Sequence, residues 1–172
     1  MKNIFFGLLA IICMQCKQVD DLLTFTIANQ VAMTVPSNSP LNLPLELATP
    51  EVATNSSQTF ANNNTEASLV KDVKLQELKL TITSPAGKTF SFLKSIQVYI
   101  STTSNNEILL ASLDNIPSTA STISLTPTQQ KLDVYAKASS YKLRTAIVTR
   151  ETVTQSVDMN ADLKFRVTAA PL

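Results

Sequence analysis

The chain has 172 residues, a formal net charge of +1, no His, no Trp, two Cys and only two Gly. Without His there is no Ser-His-Asp or Cys-His base and no imidazole metal ligand, and two Gly leave no phosphate-cradling loop. A near-zero net charge gives no electrostatic reason to expect nucleic acid as a partner.

Met1-Lys2-Asn3 opens the chain, and Ile4 to Met14 (IFFGLLAIICM) is an uncharged apolar run. A helix of that length spans roughly 16 Å, too short for a hydrocarbon core of about 30 Å. A basic start followed by a short apolar run fits a secretory signal better than a buried N-terminal helix. An ordinary signal ends in an A-x-A-like site, and nothing just after Ala10 supplies one. A lipoprotein signal instead ends at a Cys whose thiol is acylated, and Cys13 and Cys16 both qualify. Cleavage before Cys13 places β-branched Ile12 at the cut, where a small residue is needed. Cleavage before Cys16 places Gln15 there. Gln15 also departs from the usual small residue; Cys16 is the expected lipidation site on the resemblance that follows, with Cys13 the alternative.

This segment resembles the relaxed lipoboxes of gliding and gut-dwelling Gram-negative bacteria. The Asp20-Asp21 pair just after it resembles the short acidic export signals of surface-displayed lipoproteins. The resemblance implies residues 1–15 as signal, 16–21 as an acidic tether and 22–172 as a single β-rich domain. It also implies a triacylated anchor in the outer membrane, possible display at the cell surface, and no particular activity. Three acyl chains exceed the two signals needed for stable anchoring. With both Cys in this segment, the domain itself has no disulfide and no thiolate metal site.

The rest of the chain reads as strands. Leu22 to Val35 holds one or two. Leu41, Leu43, Leu45 and Leu47 alternate, but Pro44 removes a donor, so this segment belongs at an edge. A short helix is expected from Asn64-Thr65 to Val73, with Ala67, Val70 and Lys71 on one side. Leu78, Leu80 and Ile82 alternate with Lys79, Thr81 and Thr83. Ser84-Pro85-Ala86-Gly87-Lys88 reads as a turn with Gly87 at positive φ, and Phe90 and Phe92 as the return strand. Ile96, Val98 and Ile100 face inward, Ser104-Asn105-Asn106 closes a hairpin, and Ile108 to Leu113 follows. Ile123 and Leu125 mark a short strand. Thr126-Pro127-Thr128-Gln129 looks like a helix start, with Leu132, Tyr135, Ala136 and Ser139 on one face of about three turns. Tyr141 to Thr149 is a longer strand. Val157 to Ala169 alternates without a break and is the clearest strand of all. The expected class is mostly β, an antiparallel sandwich of eight to ten strands, immunoglobulin-like in the broad sense, with one or two short helices in its connections.

Candidate chemistry is sparse. The carboxylates are scattered, and Asp158 and Asp162 share a strand face with Lys164 and Arg166. Asp158-x-Asn160-x-Asp162 has part of a calcium-loop spacing without its Gly and terminal Glu. The letters S-x-x-K occur at Ser68–Lys71, Ser91–Lys94 and Ser139–Lys142 with no companion motif. Tyr99 is the Tyr placed to face solvent, as a glycan platform requires. Asn55-Ser56-Ser57 and Asn63-Asn64-Thr65 have the N-x-[ST] pattern and read as Asn-rich loops behind a bacterial signal. No catalytic, cofactor or metal residue is assigned. The expected function is a non-enzymatic, lipid-anchored binding or structural module with an envelope protein or a glycan as partner. A carboxylate-dependent enzyme or glycan-processing accessory is the alternative.

Overall fold

The computed structural model describes residues 22–172. Cys13, Cys16 and the Asp20-Asp21 pair lie outside the described residues. Among those described, the chain forms nine strands and two short helices. In chain order these are β1 (Leu23–Val35), β2 (Pro44–Ala48), β3 (Val52–Ala53), α1 (Ser56–Asn62), β4 (Val70–Ser84), β5 (Leu93–Ser101), β6 (Ile108–Asp114), β7 (Thr122–Pro127), α2 (Asp133–Lys137), β8 (Ser140–Thr149) and β9 (Val157–Ala169). The class is mostly β, an antiparallel sandwich.

The strands hydrogen-bond in the order β1-β9-β4-β7-β6-β5-β8-β2, with β3 also on β8. The link between β6 and β7 is short, Ala111 to Pro127 and Ser112 to Thr126. The sheet folds over at that link into two leaves. β9 and β8 then face each other, and the Tyr141 and Phe165 rings meet edge to face at 6.0 Å. The core between the leaves is built by alternation. Ile27, Val31, Met33 and Val35 come from β1; Val157, Met159, Ala161, Leu163, Phe165, Val167 and Ala169 come from β9. Facing them are Ile96, Val98 and Ile100 of β5 and Leu143 and Ile147 of β8.

Two helix expectations are corrected. Residues 64–73 form a single 3-10 turn at Ala67–Leu69 and then enter β4. The three-residue spacing of Val70 and Val73 comes from a bulge: Val70 faces Ala169 and Asp72 faces Thr168, so Lys71 is an extra residue. A second bulge between Leu75 and Glu77 repeats the effect, so the inward residues run Val70, Val73, Leu75, Leu78, Leu80. Bulges inserted into a period-2 strand imitate helical spacing. The helix of this region lies earlier, at α1, and buries Ser56 and Phe60.

The expected three-turn helix from Thr126 shrinks to α2, one turn. Pro127 still belongs to β7, and the Thr128 N–H and hydroxyl both donate to the Leu110 carbonyl, at 2.9 and 3.2 Å. Those bonds hold the segment to β6 in extended form. Leu132, Tyr135 and Ala136 are buried together, as their spacing requires. Phe90 and Phe92 are also not on a strand. They form a 3-10 turn and are fully buried, after which β5 pairs with β6 and β8 and not with β4.

Gly87 has φ +74° and closes the turn where Lys88 N–H donates to Pro85 O at 3.2 Å. β1 is one continuous strand. β2 lies at the sheet edge with Pro44 as its first residue, where a missing donor costs least.

Candidate functional site

The strands run between two ends of the domain. At one end lie the start of β1, α1, the β5–β6 hairpin, α2 and residues 170–172. At the other lie the loops 36–43, 85–92, 115–121 and 150–156. Thirteen residues of β1 separate the ends by roughly 40 Å.

The loops of the far end are tied to one another. Arg150 is the hub. Its backbone N–H donates to Phe92 O at 2.8 Å, its Nε to Ser91 O at 2.9 Å, and its Nη2 to Ile116 O. Asn38 N–H donates to Val153 O at 2.8 Å, and Asn42 N–H to Thr149 O at 3.0 Å. The Thr149 hydroxyl donates to Pro40 O at 2.7 Å. Asn38, Asn42 and Asn115 sit at positive φ, which Asn tolerates better than most residues. This fixed rim presents Leu41 and Leu43, 48% and 59% exposed. Sequence reasoning placed Leu41 and Leu43 in an alternating row and Arg150 in a turn. The Pro-Ser-Asn-rich composition of 36–43 was the available signal for a loop.

A second constellation lies on the outer face of the β5–β8–β2 leaf. Arg144 forks onto Glu107, with Nη2–Oε1 at 2.6 Å and Nε–Oε2 at 3.0 Å, and its Nη1 reaches Glu46 at 2.8 Å. Its guanidinium carbon lies 4.1 Å from the centroid of the Tyr99 ring. The hydrogen bond from Arg144 holds the Glu107 carboxyl below its ordinary value. One face of Tyr99 is thus taken by a cation, which competes with the sugar stacking that a glycan platform needs.

The other sequence candidates separate. Asp158 accepts from the Thr34 hydroxyl and Asp162 from Gln30 Nε2, each at 2.7 Å. Four strand residues span about 13 Å, so these carboxylates cannot converge on one cation with bonds of about 2.5 Å. Among the described residues no group of three or more Asp, Glu, His or Cys side chains could hold a metal ion. Ser68 donates to Glu66 and Ser91 to Glu151, neither to the Lys of its motif. Tyr141 is buried, accepts from Asn29 Nδ2 at 2.9 Å, and burial pushes its hydroxyl pKa up. Tyr135 is also buried, and its hydroxyl donates to Asn106 O at 2.5 Å. Asn55 precedes α1 at positive φ, and the Thr65 side chain is buried on Ala170 O.

An apolar interior cavity beside Tyr141, lined by Ile27, Thr54, Ile100, Ala136 and Phe165 among others, measures about 10 Å³. That is close to the space of one water and far from a ligand site. Among the described residues no helix is long and apolar enough to cross a membrane.

No family model matches the chain, and no curated protein matches it. Among solved structures it is similar to the decameric BFDV capsid protein, at 8% identity and a TM-score of 0.46, over 86% of this chain and 99% of that one. It is also similar to turnip yellow mosaic virus, at 12% identity and a TM-score of 0.29, over 87% and 96%. The empty head of the same virus gives 13% identity and a TM-score of 0.29, over 100% and 90%. These likenesses are too distant to pass on any property.

Proposed function

We propose that the protein is an extracytoplasmic lipoprotein, anchored to the outer membrane through acylated Cys16, whose β domain works as a binding or structural module of the cell envelope. The anchor rests on the basic start, the apolar run Ile4 to Met14 and the Cys that follows it. The observation that carries the binding role is the geometry of the two ends. β1 begins at Leu23, seven residues after Cys16, so the tether enters the end opposite the Arg150-stapled loops. Those loops then point away from the bilayer, where an envelope protein or glycan would meet them.

The anchor is tested by labelling cells with radioactive palmitate. Label should enter the wild type and the Cys13→Ser variant and be lost from Cys16→Ser. Unchanged labelling of Cys16→Ser removes the assignment, and loss only in Cys13→Ser moves it to Cys13.

A further inference from the structure

Where charged residues of β9 and β4 stand opposite each other on the outer face, they are matched in sign, with one exception. Asp162 faces Lys79, and Lys164 faces Glu77. The amines of Lys79 and Lys164 both lie on Glu77, at 3.3 and 3.4 Å. Lys74, however, faces Arg166. Both point outward, because their strand neighbours Val73, Leu75, Phe165 and Val167 are buried. Among the described residues neither forms an ion pair. Like charges directly opposite on paired strands are destabilising, so this row costs stability where the rows beside it gain it. More cations surround the pair. Lys71, the extra residue of the first β4 bulge, is exposed. Lys131 precedes Leu132, whose N–H donates to Val73 O at 2.9 Å, so it flanks β4 on the side away from β9. None of the nearby acids pairs with the row. Asp133 accepts from the Val73 N–H at 2.8 Å, Glu66 accepts from the Ser68 hydroxyl, and Asp72 faces Thr168.

We propose that Lys74 and Arg166, with Lys71 and Lys131 beside them, hold phosphate groups of anionic lipid headgroups, so that this side of the domain rests on the bilayer. The inference rests on the anchor proposed above, which fixes Cys16 at that surface. The seven residues from Cys16 to Leu23 reach at most about 25 Å when extended. Arg166 faces Thr26, roughly 10 Å along β1 from Leu23. The cation pair therefore lies at the tether end of the domain, within reach of the headgroups. A guanidinium and amines fit phosphate oxygens, and the tether keeps the two surfaces together, so individually weak contacts suffice. Exposed aliphatic side chains flank the cations. Leu22 just before β1 is 48% exposed, and Val134, next to Asp133, is 63% exposed. Cations beside aliphatic groups suit the boundary between headgroups and acyl chains. The anion supplies the countercharge that the Lys74–Arg166 row lacks within the fold.

The test uses the full chain, purified from membranes in detergent and returned to phosphatidylcholine vesicles that carry a headgroup nitroxide, with or without phosphatidylglycerol. The chain has no Trp, so Thr26→Trp, level with Arg166, and Thr34→Trp, roughly 26 Å along the same strand, each supply a single fluorescent reporter. Emission from Thr26→Trp should be quenched when phosphatidylglycerol is present and Thr34→Trp should not. Lys74→Glu in the Thr26→Trp chain should abolish that quenching. It should also raise the melting temperature, because Glu opposite Arg166 restores the matched pattern of the neighbouring rows. A folding defect cannot do both. Inorganic phosphate should relieve quenching no better than sodium chloride at equal ionic strength. The intact mass of the same sample reads the anchor separately. A chain without lipid overturns the anchor alone, and quenching is then read by adding the same vesicles to that chain. The proposal is overturned by quenching that ignores phosphatidylglycerol, by equal quenching at Thr34→Trp, or by a Lys74→Glu chain that is still quenched or melts no higher. Stronger competition by inorganic phosphate also overturns it, in favour of a site for the free ion.

Discussion

The guanidinium of Arg144 lies over the ring of Tyr99, with its central carbon 4.1 Å from the ring centroid. The two residues face each other across paired β8 and β5 strands. The same guanidinium forks onto Glu107 and reaches Glu46, so one side chain ties three strands and a hairpin together on the leaf's outer face. Lys cannot reproduce a planar fork that also stacks. Arg144→Lys should cost about 1 kcal/mol, the upper range for a partly exposed pair, measured by urea unfolding. A loss no larger than that of a remote Lys substitution would contradict the coupling.

The same pair sets a pH dependence. The hydrogen bond from Arg144 holds Glu107 below its ordinary 4.5 in the folded state. Folding therefore gains from this group above the unfolded pKa, and the gain disappears as pH falls through the lower folded value. Unfolding of the wild type between about pH 5 and pH 3 should show a steeper loss than Arg144→Ala. Parallel curves for the two proteins would show that Glu107 is not coupled to Arg144.

Thr145 points into the core of β8, fully buried, and its hydroxyl has no partner among the described residues. Val has nearly the same shape without the buried polar atom. Thr145→Val should raise stability by about 1–2 kcal/mol, read as a higher midpoint in denaturant with an unchanged slope. A destabilised variant would mean that the hydroxyl has a bonded partner.

Gly87 sits at φ +74°, and a Cβ added there would meet nothing within 4 Å. Any penalty is then conformational and not steric crowding. Gly87→Ala should cost about 1 kcal/mol and Gly87→Asn less, since Asn tolerates the left-handed region. Equal melting of all three proteins would contradict the turn geometry.

What the sequence made legible follows from how local each signal is. β9 is read correctly because its alternation, Val157 through Ala169, is uninterrupted and decided by burial on one face. β4 is half misread because its bulges displace the inward residues, so Val70 and Val73 take a helix-like spacing. Bulges answer to the partner strand and leave no mark in the strand's own letters. α1 escapes notice because its one large buried residue, Phe60, gives no apolar period. Of the functional candidates, Tyr99 was placed on the correct face, but Arg144 over it comes from a strand more than forty residues later in the chain. The Arg150 staple is likewise made of contacts to Ser91, Phe92 and Ile116, distant in sequence.

The staple itself can be tested without a ligand. Arg150→Ala should raise amide hydrogen exchange in the loops 85–92 and 115–121 and leave the hairpin 102–107 unchanged. The expected cost is about 1–2 kcal/mol for losing charge-assisted bonds. Uniform acceleration across the domain would instead indicate a general loss of stability.

The proposed lipoprotein nature is tested most directly by the intact mass of the protein extracted from the membrane fraction, with sequencing of its N-terminal peptide. The expected result is a chain beginning at Cys16, heavier than its residues by a diacylglyceryl group and an amide-linked acyl chain. A chain that retains residues 1–15, or one that begins elsewhere without lipid, would contradict it.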